Sequence, residues 1–200
     1  QDDATLRVRV TERSGQADES TLVLHPPVLA IGVGCERGTD PAELITLIRQ
    51  SLDAAGLASD AVAALGSLDL KMDEPAMHAA AETFNAPIRF FHAATLEAET
   101  PRLLNPSDIV FRETGCHGVA EGSALALAGP DAELVMPKRK SARATCAIAR
   151  APEPLQQPFR GQSRGTLFVV GIGPGSDGWR SPEATAMEKN ADVVVGYRLY

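Results

Sequence analysis

Three times between residues 28 and 128, an apolar run gives way to a polar turn and then to a helix-start signal. Val28 to Val33 reads as a strand, and Gly34-Cys35-Glu36-Arg37-Gly38 as the turn that follows it. Asp40-Pro41-Ala42-Glu43 has the form of a capping box with proline in its first turn. Leu44, Ile45, Leu47, Ile48 and Leu52 then mark one face of a helix, which Gly56 stops. The second round runs from a strand in Ala61 to Leu70, through Lys71-Met72-Asp73-Glu74, to a helix opened by Pro75 and ending near Asn85. Pro87 to Phe91 reads as a third strand, residues 95–107 as a loop or short helix, and Asp108 to Phe111 as a fourth strand. Thr114-Gly115-Cys116-His117-Gly118 is the third turn, before an Ala/Leu helix from Val119 to Ala128 that Gly129-Pro130 ends. Glu133 to Met136 and Thr145 to Ala149 look like a closing hairpin around Pro137 to Arg143. Alternating strands and helices predict an α/β fold: three layers, α/β/α, with a mostly parallel central sheet.

The flanks differ. In residues 1–27, Leu6, Val8 and Val10 alternate with Arg7 and Arg9, and Leu22 to Leu24 reads as the returning strand of a hairpin turned at Ser14-Gly15-Gln16. Such a pair is marginal alone, so this segment is expected to dock, or to be the tail of a preceding domain. The main domain spans 28–151, and residues 152–165, with three prolines and paired glutamines, have linker composition. Residues 166–200 read as a strand (Thr166 to Val170), a glycine-rich turn, a helix capped by Ser181 with Pro182 at its first position and ending near Asn190, and a second strand (Ala191 to Gly196). That is an incomplete strand–turn–helix–strand unit.

Aromatic residues make up only 4% of a chain that is 44% hydrophobic, so the core must be aliphatic and alanine-rich. No apolar run is long enough for a membrane span, and no signal peptide shows. Cys35, Cys116 and Cys146 lack CxxC spacing, which fits a reducing, cytoplasmic setting. The net charge of −7 excludes a general nucleic-acid binder. Residues 138–164 nevertheless hold seven Lys/Arg against one acid, Glu153. A basic stripe on an acidic body suits an anionic small molecule or partner, and equally a solvated hairpin running into a linker.

In parallel sheets ligands bind beyond the carboxyl ends of the strands. The three turns would then share one edge and gather Cys35, Arg37, Lys71, Asp73, Glu74, Thr114, Cys116, His117 and Glu121. Cations and helix N-terminal amides there would clamp carboxylates, leaving a carboxylate for proton transfer. Each residue also has an ordinary reading. Arg37 can pair with Glu36 or Asp40, Asp73 and Glu74 can serve a helix start, the cysteines can be half-buried turn residues, and His117 can be a cap. His25, His78 and His92 are scattered and suggest no metal site.

Two resemblances emerge from these motifs. Gly32-Val33-Gly34-Cys35-Glu36-Arg37-Gly38-Thr39, Ser67-Leu68-Asp69-Leu70-Lys71-Met72-Asp73-Glu74-Pro75, Pro87 to Phe91, Thr114-Gly115, Gly118 to Glu121 and Pro137 to Ser141 resemble the C-terminal domain of the cobalt-precorrin-5A hydrolase (CbiG/CobE) family of cobalamin synthesis. The resemblance implies an anionic tetrapyrrole or corrinoid ligand. For the hydrolases it implies opening of a lactone with loss of a two-carbon aldehyde. Glu74 or Glu121 would activate water, and Arg37, Lys71, Asp73, Thr114, Lys138 and Lys140 would hold the substrate. Residues 166–200 resemble the start of the precorrin-3B C(17)-methyltransferase (CobJ/CbiH) family, with Gly171, Gly173, Pro174 and Gly175 at its GxGPG loop. That implies a fusion whose full-length parent uses S-adenosylmethionine and can form a homo-oligomer through the methyltransferase domain; so short a piece is expected to bind no cofactor. An enzyme domain, a non-catalytic carrier of corrinoid intermediates and a structural spacer all remain open at this point.

Overall fold

The two short runs near the start, β1 (Arg7–Val10) and β2 (Thr21–Leu24), do pair, but in parallel, with Val8 opposite Leu22 and Val10 opposite Leu24. The expected hairpin is therefore corrected. Ser14-Gly15 does not reverse the chain into β2; Ser14 N instead donates to Gly56 O (3.0 Å), and the crossing loop rests on the end of the first helix. The computed structural model describes residues 6–15, 18–171, 180–191 and 193–196. It falls into two units, Gln1–Arg164 and Gly165–Tyr200, each taken by itself.

In the first unit β3 (Leu29–Cys35) leads to α1 (Pro41–Ala55), and β4 (Val62–Leu68) to α2 (Pro75–Thr83). The helix signals work locally as written. Asp40 Oδ1 accepts from Ala42 N (2.9 Å), Pro41 opens α1, and Gly56 ends it at φ 62°. Glu43 does not close a capping box. Its carboxylate accepts from Ser141 Oγ (2.5 Å) and Arg143 N (2.7 Å), tying a distant turn to the helix. β5 (Ile88–Phe91), α3 (Ala93–Glu97), α4 (Asp108–Thr114), α5 (Val119–Ala128), β6 (Glu133–Lys140) and β7 (Ala144–Arg150) complete the unit.

The strand order is β5-β4-β3-β7-β6. β3, β4 and β5 are parallel, β7 runs antiparallel to β3, and β6 antiparallel to β7, so the sheet is mixed. Every residue of β4 is buried, because helices cover both faces. On one side Leu44, Leu47, Ile48 and Leu52 of α1 and Met77 of α2 pack on the sheet. On the other, α5 packs with Leu96 and Leu103 beneath it.

The fourth strand expected at Asp108 to Phe111 is a helix. Ser107 caps it, accepting from Val110 N (3.4 Å), and Gly115 ends it at φ 80°. A four-residue apolar run carries no period of its own, and the cap decided.

Helix α5 lies unusually close to the sheet. All its residues from Ala120 to Ala128 are buried. A Cβ on Gly32 would sit 1.8 Å from Ala120 O and 2.6 Å from Ala124 N. The Ser123 hydroxyl donates to Gly66 O (3.0 Å) on β4. Small residues on both surfaces make this approach possible, which is where the alanine-rich composition is used.

Part of the segment with linker composition is bound to the body. Leu155 N donates to Pro27 O (2.9 Å), and Gln162 exchanges two backbone hydrogen bonds with Phe90 (2.7 Å each). Arg89 donates to the carbonyls of Phe159, Arg160 and Gly161. The segment thus covers the free edge of β5. In the second unit α6 (Pro182–Asn190) forms with Ser181 Oγ accepting from Ala184 N (3.1 Å). Residues 166–171 and 193–196 are not strands, so the two expected flanking strands are corrected. An isolated apolar run has no neighbour to pair with. Gly171 is exposed, and Gly173, Pro174 and Gly175 lie outside the described residues.

One buried carboxylate joins three parts of the body. Glu121, 1% exposed, accepts from Lys138 N (2.9 Å) and Asn105 Nδ2 (2.8 Å) at Oε1, and from Leu104 N (2.8 Å) and Asn105 N (2.9 Å) at Oε2. Burial pushes its pKa up, but these four donors outweigh burial and hold it below the ordinary carboxylate value.

Two stability predictions result. Gly32→Ala forces α5 away from β3 and costs about 3 kcal/mol or more, read as a lowered urea midpoint. Glu121→Gln leaves donors facing an amide NH2 and costs about 3 kcal/mol at neutral pH. A depressed folded pKa gives stability that is present above the unfolded value and is lost as pH falls through the folded one. The gap between wild type and Glu121→Gln must therefore shrink in acid; a gap independent of pH contradicts this account.

Candidate functional site

The carboxyl ends of β3 and β4, the β6–β7 turn, the first turn of α5 and one side of α4 enclose a cavity of about 360 Å³. Gly34, Cys35 and Glu36 extend from β3, while Leu68 and Lys71 follow β4. Gly118, Val119 and Ala120 present the start of α5, whose N-cap is a glycine and so has no capping side chain. Ser107, Val110, Glu113 and Thr114 form the wall from α4. Lys138, Lys140 and the stretch 141–145 close the far side.

Three cations meet a helix N-terminus here. Lys138 Nζ donates to Asn105 O (2.7 Å). Partial burial, and then the neighbouring Lys140, lower its pKa. No hydrogen bond or ion pair engages the ammonium groups of Lys71 or Lys140 among the described residues. The positive end of the α5 dipole adds to the same potential. Such a constellation favours carboxylates or other oxyanions.

The wall is fixed by Arg143, which ordinary charge counting places in the basic stripe. It donates to Glu36 Oε2 (3.0 Å), Gly38 O (3.2 Å) and Arg37 O (2.7 Å), and so fastens the β6–β7 turn onto the β3 turn. Glu113 is the other residue the sequence reading missed. It is an exposed carboxylate on α4 with no hydrogen-bond partner among the described residues, and it became visible as a site residue only once α4 was a helix.

The site residues expected from sequence divide into two groups. Cys35, Lys71, Thr114, Lys138 and Lys140 line the cavity. Thr114 Oγ1 also donates to Val110 O (2.8 Å), and burial pushes the Cys35 thiol pKa up. The others turn elsewhere. Arg37 pairs with Asp73 (3.2 Å) and donates to Leu70 O, rather than pairing with Glu36 or Asp40; its hydrogen bond lowers the Asp73 pKa. Glu74 is 3% exposed and accepts from Gly38 N (2.9 Å), bracing the turn. Glu121 has all four in-plane acceptor positions filled. These two carboxylates, expected to activate water, are part of the frame: Glu121 has no acceptor position left for a water, and Glu74 is not on the cavity lining. His117 bridges Glu97 (2.9 Å) and Asp108 (3.5 Å) and stacks on Phe111 at 4.4 Å, outside the cavity lining.

A larger depression of about 720 Å³ lies at the opposite edge, between the C-terminal ends of α1 and α2, with Arg49, Asp53 and Asp60 on its border. Negative helix ends face it, so it is the poorer place for an anion. Among the described residues no group of three or more His, Cys, Asp or Glu could hold a metal ion, and no helix is long and apolar enough to cross a membrane. Cys35, Cys116 and Cys146 are free thiols.

Known proteins share this architecture. The chain is 52% identical over 121 residues to Protein CobE of Sinorhizobium sp, covering 60% of this chain and 79% of that protein. It is 35% identical over 134 residues to a cobalt-precorrin-5A hydrolase of Priestia megaterium, covering 67% of this chain but only 35% of the hydrolase. It therefore spans about a third of that enzyme. The crystal structure of CobE, a protein from the cobalamin (vitamin B12) biosynthetic pathway, superimposes with a TM-score of 0.58 at 41% identity, over 62% of this chain and 89% of that one. Residues 29–149 match the family described as Cobalamin synthesis G C-terminus, and with more than half its length in that match the chain belongs to this family of cobalamin biosynthesis proteins of the CobE/CbiG type.

Proposed function

We propose that the cavity binds the carboxylate arms of a corrinoid intermediate and that the chain acts as a holding or delivery module in corrin-ring synthesis. The observation that carries this reading is the convergence of Lys71, Lys138 and Lys140 on the uncapped start of α5. Corrin-ring intermediates carry several carboxylate arms, and ammonium groups beside a helix N-terminus are suited to hold them. The setting is cytoplasmic, which the free thiols support.

Hydrolysis is the second reading. The identity to a cobalt-precorrin-5A hydrolase favours it, and Glu113, on the cavity lining with no hydrogen-bond partner among the described residues, is the carboxylate placed to activate water. For residues 166–200, membership of an S-adenosylmethionine-dependent methyltransferase module is proposed on the sequence resemblance; α6 forms with the Ser181 cap and Pro182 start that the local sequence predicts.

Absorbance titration with hydrogenobyrinic acid, a corrinoid polycarboxylate, tests the first reading. Saturable binding that weakens with salt is expected. Lys71→Ala should weaken it about tenfold. Arg37→Ala, whose partner Asp73 lies off the cavity, should change it little. Because the Lys138 pKa is lowered, affinity should decline on raising pH before the ordinary lysine range is reached. Binding that is indifferent to both salt and Lys71 would sink the proposal. Release of a two-carbon aldehyde from cobalt-precorrin-5A, lost in Glu113→Gln, would favour hydrolysis instead. Equilibrium dialysis of this chain with S-adenosylmethionine should give no retention, and retention would overturn the view that so short a piece cannot hold the cofactor.

A further inference from the structure

Several polar side chains on the cavity lining are already committed within the protein. Glu36 Oε2 accepts from Arg143 Nε (3.0 Å). The Ser141 hydroxyl donates to Glu43 Oε1 (2.5 Å), and the Thr145 hydroxyl to Gly34 O (3.3 Å). Lys138 spends one ammonium N–H on Asn105 O (2.7 Å) and keeps the others. The ammonium groups of Lys71 and Lys140 are uncommitted among the described residues. So is the carboxylate of Glu113, and it forms no ion pair with any of these lysines. Opposite charges that share one lining without touching leave room for a ligand group between them.

Glu113 does not stand alone as an acceptor. Its neighbour Thr114 lines the same cavity. The Thr114 hydroxyl proton goes to Val110 O (2.8 Å) or Cys116 O (3.3 Å), so Oγ1 meets a ligand only as an acceptor. The lining therefore offers two kinds of uncommitted group: ammonium donors at Lys71, Lys138 and Lys140, and acceptors at the last turn of α4. A ligand with only carboxylates satisfies the first kind and is repelled by Glu113. An ammonium group suits Glu113 but is repelled by the lysines. A hydroxyl brings a single proton. A primary carboxamide is neutral and brings two N–H donors, one for Glu113 and one for Thr114, while its oxygen can accept from a lysine.

We propose that Glu113 makes the cavity selective for a corrinoid whose arms are partly amidated, with a carboxylate held by the lysines and a primary carboxamide held at Glu113 and Thr114. This rests on the corrinoid-binding reading above. Glu113 then sets specificity rather than affinity. It weakens binding of the fully acidic ligand, and so separates two molecules of nearly equal shape.

The test compares the full wild-type chain with Glu113→Gln. The altered side chain is exposed and has no partner to lose, so folding is spared, and a thermal melt checks it. The probes are hydrogenobyrinic acid and a pool of its partial primary amides formed at random positions. Glu113→Gln is expected to bind hydrogenobyrinic acid about threefold more tightly than wild type, with the gain shrinking as salt is raised. Every arm of that acid is a carboxylate, so the result does not depend on which arm enters. The pool is then offered to limiting protein, and the bound fraction is read by mass spectrometry. The preference for amide-bearing species over the unamidated acid should fall about tenfold from wild type to Glu113→Gln. An affinity for hydrogenobyrinic acid that is unchanged or lowered in the variant, or bound fractions of the same composition, overturns the selectivity and leaves the cavity reading standing. No saturable binding of either probe by the wild type overturns the cavity reading, and the selectivity falls with it.

Discussion

The contact between α5 and the sheet at Gly32 sets the rest of the molecule. Because no side chain stands between β3 and the carbonyl of Ala120, the helix lies with its axis close to the strands. Its first turn is then carried to the carboxyl end of β3, where it becomes the back of the cavity. The same closeness explains why the helix is built from alanine, glycine and serine over its middle, with Leu125 and Leu127 buried in the apolar cluster that also holds Leu96 and Leu103. A bulkier helix would stand off the sheet, and the donors at its start would no longer meet the lysines across the cavity.

Around that fixed centre, acidic side chains are spent on construction. Glu43 holds the β6–β7 turn to α1, Glu74 braces the β3 turn, Glu36 anchors Arg143, and Glu121 ties two separate backbone stretches to α5. The ammonium groups of Lys71 and Lys140 are left without hydrogen bonds or ion pairs among the described residues. An acidic protein thus presents a cavity with three lysines without any excess of positive charge overall, because most carboxylates near the site, Glu113 excepted, are turned toward N–H groups, a hydroxyl and a guanidinium. Local potential depends on which charges remain uncommitted, not on the sum over the chain.

This distinction also explains how far the sequence was legible. Helix ends were readable because caps act within four residues: Asp40, Gly56 and Ser181 do what their types suggest. The edge shared by the β3 and β4 turns was readable from strand–helix alternation, and it brought Cys35 and Lys71 into view, while Lys138 entered through the family resemblance. Strand direction was not, since nothing local in β1 and β2 distinguishes a parallel pair from a hairpin. Asp108 to Phe111 was misread as a strand because β-branched residues outweighed the Ser107 cap, and Val110 and Glu113 were hidden with it. Glu74 and Glu121 looked chemically available because a carboxylate's partners, here up to seventeen residues away for Glu121, lie elsewhere in the chain. The docking of residues 155–162 was equally invisible, for it depends on Arg89 meeting three carbonyls that composition alone assigns to a linker.

The two borders of the sheet are treated differently. At β5 the annexed backbone around Gln162 fills the edge. At β6 the outermost strand ends in Pro137, Lys138, Arg139 and Lys140, and among these are the lysines that face the cavity. A proline that cannot donate and a row of mutually repelling ammonium groups make that border unfit to accept a strand from a second molecule. The proposed ligand recognition and this protection against self-association therefore draw on the same few side chains. Evolution toward a neutral ligand would have to replace a solubility device as well as a binding site.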